Sequence, residues 1–103
     1  MTTPLGELAT QVRSKNAGPF WLTMDVFFAD ADDCARASRS PLTDPATIGR
    51  LYGLDPGQVK VFVLADLLAI KISVPRPVVQ GSLQDRDMHA GQQYVPLLGI
   101  EVE

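Results

Sequence analysis

Hydrophobic positions along the chain change period several times, and each change marks an element. Leu5, Leu8, Ala9 and Val12 are spaced as on one face of a helix, with Thr3 as cap and Pro4 in the first turn, where its missing N–H costs little. Gly6 weakens that helix, and an edge strand over the same residues is the alternative. The polar stretch Arg13-Ser14-Lys15-Asn16-Ala17-Gly18-Pro19 reads as a loop closed by a Gly-Pro breaker. From Phe20 to Phe28 the period is two: Phe20, Leu22, Met24, Val26 and Phe28 share one face, and Trp21, Thr23, Asp25 and Phe27 the other. Its aromatic and β-branched content agrees with a strand.

Asp30 then offers a helix cap, with Asp32 and Asp33 favoured by the helix dipole, and the helix runs to about Ser38, before Pro41. Asp44-Pro45 opens a second helix that reaches Tyr52 and stops at Gly53. Asp55-Pro56-Gly57 is a turn. Val59, Val61, Val63 and Ala65 alternate with Lys60, Phe62 and Leu64; Leu68, Ile70, Ile72 and Val74 alternate with Ala69, Lys71 and Ser73. Two such runs across a short break predict a hairpin. Pro75-Arg76-Pro77 ends it, because proline cannot donate to a ladder. Residues 78–86 read as loop, Asp87 caps a short helix over His89 to Tyr94, and Pro96 precedes a last strand within Leu97 to Val102.

The predicted order is strand, helix, strand, strand, helix, strand. It corresponds to a single α+β domain over residues 1–103, a ferredoxin-like split βαβ sandwich (β-α-β-β-α-β) whose antiparallel sheet carries helices on one face. The other face would hold Thr23, Asp25, Lys60, Lys71 and Ser73 together with Trp21, Phe27, Phe62 and Leu64. So large an apolar share in water points to a cover. A partner subunit or the chain's own N-terminal segment could supply it.

Composition narrows the function classes. A chain of 103 residues, 46% hydrophobic and 20% charged, is an ordinary globular domain too small for a deep cleft. With 9 basic and 12 acidic residues the formal net charge is −3, and no two basic residues adjoin, which argues against nucleic acid. No apolar run is long enough to span a bilayer, and Met1-Thr2-Thr3-Pro4 lacks the features of a secretory signal. One cysteine, Cys34, permits no internal disulfide, and Cys34 with His89 is too few for zinc, so a cytoplasmic protein with no metal or other cofactor is expected. Neither a Walker nor a dinucleotide glycine pattern occurs.

Two stretches could carry chemistry. Arg13, Lys15, Asn16 and backbone N–H groups near Gly18 could hold a carboxylate or phosphate; a solvated connector explains the same letters. Asp87 beside His89 resembles half of an acid–base pair; a helix cap next to an exposed imidazole is the plainer reading. Cys34 among alanines reads as a small core residue, and Arg76 as a loop residue hydrogen-bonding carbonyls.

The run Arg13 to Phe20, followed by Leu22-Thr23 and Asp25, resembles the opening of a bacterial family known only as a domain of unknown function. Ala69-Ile70-Lys71, Pro75-Arg76-Pro77 with Gly81, and Gln92-Gln93 before Pro96-Leu97-Leu98 extend the resemblance over nearly the whole chain. Members are small separate proteins, typically encoded beside a large protein of the acyclic-terpene-utilisation (AtuA-like) type. Some large relatives carry a C-terminal ferredoxin-like domain whose Arg-Ser-Gly-Asp-Lys-Gly loop is similar to Arg13–Gly18, and whose Asp-x-His-Gly motif is echoed by Asp87, His89 and Gly91. This chain departs from them at Lys15-Asn16-Ala17 and at Ala90.

The resemblance implies the small accessory subunit of a hetero-oligomeric enzyme, a lyase or hydratase acting on a carboxylic acid or its acyl thioester, with the AtuA-like subunit supplying most catalytic groups. Arg13, Ser14, Lys15, Asn16, Gly18 and Arg76 would hold the anionic substrate, and Asp87 and His89 would carry acid–base work or brace the loop. A non-catalytic scaffolding module and a standalone small enzyme are the competing readings.

Overall fold

The strand with the clearest alternation is the centre of the sheet. In the computed structural model, which describes residues 2–17, 20–75 and 94–103, Trp21–Phe27 is a strand whose Leu22, Met24 and Val26 are fully buried. With Thr3–Pro4 as β1, Leu5–Leu8 as α1 and Gln11–Asn16 as β2, this strand is β3. The expected hairpin is formed by β4 (Lys60–Leu64) and β5 (Ala69–Pro75). Met24 lies opposite Ile72, Val26 opposite Ile70 and Leu22 opposite Val74, so the apolar side chains of two central strands stack on one face. The sheet order is β2-β3-β5-β4 with every neighbouring pair antiparallel, so β3 and β4 run in the same direction on either side of β5.

Helices α2 (Ala31–Ser38) and α3 (Pro45–Tyr52) cover that face, and both begin as the capping residues predict. Asp30 accepts the Asp33 N–H at 2.9 Å, and Asp44 accepts the Ala46 N–H at 3.1 Å, satisfying donors with no helical partner. Gly53 closes α3 in the left-handed conformation (φ 68°), where a side chain would be strained. Cys34, Ala37, Leu42 and Ile48 join the inner sheet residues in one core with Leu5, Leu97, Ile100 and Val102. Each fully buried Leu or Ile contributes about 1.5–3 kcal/mol by leaving water.

The two ends of the chain differ from expectation. The helix predicted from Leu5 to Val12 ends at Leu8: Ala9 is already extended, and Thr10 N–H donates to the Phe27 carbonyl at 2.8 Å. The chain then enters β2, so the predicted loop is strand through Asn16. The strand expected within Leu97 to Val102 shrinks to β6 (Glu101–Val102), after a 3₁₀ turn over Val95–Gly99. It pairs with β1 in a separate two-stranded sheet. The described residues therefore form a small mixed α/β fold with antiparallel sheets, and the part of the expected β-α-β-β-α-β order that falls on them differs at the N-terminal edge. The edge beside β3 belongs to β2, from the N-terminal side. The expected loop over residues 78–86 and most of the helix from His89 lie outside the described residues. Among the described residues, no helix is long and apolar enough to cross a membrane.

Candidate functional site

Strand alternation sends every second side chain of the four-stranded sheet away from the helices, and register arranges them in rows. One row runs Arg13, Asp25, Lys71, Phe62 across β2, β3, β5 and β4. The next runs Lys15, Thr23, Ser73, Lys60. Trp21 and Phe27 stand at either end of β3 on the same face. Four cations thus face one carboxylate, in a chain whose total charge is −3.

Two of the cations rest on aromatic rings. The Arg13 guanidinium lies 5.1 Å from the Phe27 ring centre, and the Lys60 ammonium 5.4 Å from that of Trp21. Both are within cation–π range. Trp21 is 38% exposed, Phe62 47% and Leu64 37%. Thr23, by contrast, is only 5% exposed, and among the described residues its hydroxyl has no hydrogen-bond partner. A buried hydroxyl left so costs about 1–3 kcal/mol.

The N-terminal segment does not roof this face. Leu5 is buried in the core on the helix side, α1 packs on the Val95–Gly99 turn, and β1 is occupied by β6.

Of the residues expected to hold an anion, Arg13 and Lys15 lie on one face of β2 and Ser14 and Asn16 on the other, because residues on a strand alternate. Arg13 and Lys15 point to the outer face and are exposed; Ser14 and Asn16 point to the inner one. Ser14 is buried and its Oγ accepts the Tyr94 N–H at 3.2 Å, fastening β2 to the C-terminal part of the chain. Gly18, Arg76, Asp87 and His89 lie outside the described residues. Reading residues 11–16 as a strand would have found the outer-face cations in register with Asp25 and Thr23; the polar inward positions hid that pattern.

Other chemistry-bearing groups are structural. Burial pushes the Cys34 thiol up, as befits a small core residue. Burial also raises the Tyr52 phenol above its ordinary range, and its hydroxyl donates to Met24 Sδ at 3.0 Å. A cleft of about 540 Å³ beside Arg36 and Arg39 is also lined by Glu101 and Glu103. There Arg36 is engaged by the Glu103 carbonyl at 3.0 Å and by Asp33 at 3.7 Å. Among the described residues, no group of three or more His, Cys, Asp or Glu is placed to hold a metal ion.

Residues 5–101 match the family described as Domain of unknown function (DUF4387). No curated protein and no solved structure matches the chain.

Proposed function

The chain belongs to the DUF4387 family, and from that premise we propose that it is a small accessory subunit that docks on a larger protein through the outer face of its sheet. The observation that carries this reading is the exposure of Trp21, Phe62 and Leu64 on one face that the N-terminal segment leaves uncovered. Large apolar side chains gathered on one face favour association over hydration. A domain of this size also gains more from a shared interface than a large one does. The resemblance of Arg13 to Phe20 and of the later motifs supplies the partner and chemistry: a large AtuA-like subunit, and a lyase or hydratase reaction on a carboxylic acid or its thioester.

Co-expression with a large AtuA-like protein, of the kind that typically accompanies members of this family, tests the proposal. The two should co-purify, Trp21→Ala with Phe62→Ala should break the complex, and Arg13→Ala should keep the complex while lowering turnover. Failure to associate at micromolar concentration refutes it. One observation favours a purely scaffolding role: alternation separates Arg13 and Lys15 from Ser14 and Asn16. That reading expects the complex to form and its turnover to be indifferent to Arg13→Ala.

A further inference from the structure

The row Lys15, Thr23, Ser73, Lys60 has an order of its own: two hydroxyls in the middle and an ammonium at each end. It crosses three inter-strand gaps, about 14 Å in all. Lys15 is exposed at one end, while Lys60 is held over the Trp21 ring at the other. Thr23 carries the anomaly: between the two lysines, on the central strand, its hydroxyl is buried and among the described residues has no hydrogen-bond partner.

We propose that this row is a seat for carboxylate side chains of an acidic protein surface. The inference rests on the docking reading above and names the chemistry of the partner. Lys15 and Lys60 supply charge, and the neighbouring row adds Arg13 and Lys71. Thr23 holds an unmet donor just beneath the surface, satisfied when an arriving carboxylate displaces the atoms that cover it. An arrived carboxylate relieves the unpaired hydroxyl as well as meeting the cations, so binding gains from both.

Single-stranded nucleic acid is the obvious competitor for a sheet bearing cations and aromatics. The geometry disfavours it. Bases need free ring faces, yet Phe27 carries Arg13 and Trp21 carries Lys60. Asp25 also stands in the adjoining row, where a phosphate backbone would meet it. Carboxylates are smaller and can approach the cations from the side opposite the rings.

Trp21, the only tryptophan, reports from the edge of the seat. The full chain is titrated with poly-L-glutamate while Trp21 emission is followed, with poly-L-lysine and oligothymidylate as controls. The expected result is a saturable change with poly-L-glutamate alone, weakening as salt rises through the physiological range. Lys15→Gln should weaken it, and Lys15→Gln with Thr23→Val should weaken it about tenfold. Thr23→Val should at the same time raise the unfolding midpoint of the free chain, because it removes an unpaired buried hydroxyl; a merely structural threonine would lower it. Lys15→Gln, fully on the surface, keeps the test open if Thr23→Val misfolds. No response to poly-L-glutamate, a response indifferent to Lys15→Gln, or tighter binding of oligothymidylate overturns the proposal. Loss of the complex on Trp21→Ala with Phe62→Ala, without any response to poly-L-glutamate, leaves docking standing and removes only its acidic partner.

Discussion

Replacing a helical glycine by alanine ordinarily stabilises a helix by up to about 1 kcal/mol, and at Gly49 we expect the reverse. Gly49 is buried in α3, and the chain leaving the helix folds back across it. A Cβ built on Gly49 would lie 2.5 Å from the Leu54 carbonyl oxygen, where real contacts essentially never fall below 3.0 Å. That oxygen is backbone, and its residue is tied down: the Leu54 N–H donates to the Gly49 carbonyl at 2.8 Å. Retreat would strain the same bond that closes the helix. Overpacking of this kind costs about 1–3 kcal/mol. Set against the full propensity gain, a net loss centred on about 1 kcal/mol remains, or a melting point lower by roughly 4–8 °C for a domain of this size. Urea unfolding followed by Trp21 fluorescence and by circular dichroism measures it, with Gly57→Ala as control, since a Cβ there meets nothing within 4 Å. The control should stay within about 0.5 kcal/mol of the parent. If Gly49→Ala unfolds at the parent's urea midpoint or above, Leu54 does not press on Gly49 and the expected clash is refuted.

Two further outcomes concern the helix cap and the half-buried phenol. Asp44→Ala removes the acceptor of the Ala46 N–H and of the Thr47 hydroxyl, both at 3.1 Å, and should cost about 1 kcal/mol in the same urea assay, recovered in large part by Asp44→Ser. Burial raises the Tyr52 pKa, so the folded chain keeps a proton that the unfolded chain releases. This contribution to stability is whole below the unfolded value of about 10 and declines as pH rises above it. Unfolding midpoints between neutral and strongly alkaline pH should show that decline in the parent and a shallower one in Tyr52→Phe.

How much of this was legible in the letters depends on where each element's partners lie. β3, β5 and the starts of α2 and α3 were plain, because their signals are local: alternation in Leu22-Met24-Val26 and Ile70-Ile72-Val74, and caps at Asp30 and Asp44. β2 was not. It is an edge strand whose inward residues are Val12, Ser14 and Asn16, so only one apolar side chain marks its face. Ser14 is tolerated inside because Tyr94, eighty positions away, donates to it, and no local pattern announces such a partner. The spacing of Leu5, Leu8, Ala9 and Val12 suits a helix equally well, but pairing with Phe27 takes the chain from Thr10 onward. The outer face was half legible. Its residues follow from alternation in β3, β4 and β5, whereas Arg13 and Lys15 join it only once β2 is known to be a strand.

The pairing of β1 with β6 has a consequence for biosynthesis. Thr3 lies opposite Val102, and the Leu5 N–H bonds the Ile100 carbonyl at 2.8 Å. Leu5 leaves the ribosome well before residues 100–102, and this pairing cannot form until they have emerged as well. The four-stranded sheet, α2 and α3 can form earlier in synthesis, and the core is completed only when these contacts, the most sequence-distant among the described residues, are made. A nascent chain stalled before Ile100 would therefore lack this closure around Leu5, and present a natural handle to a chaperone.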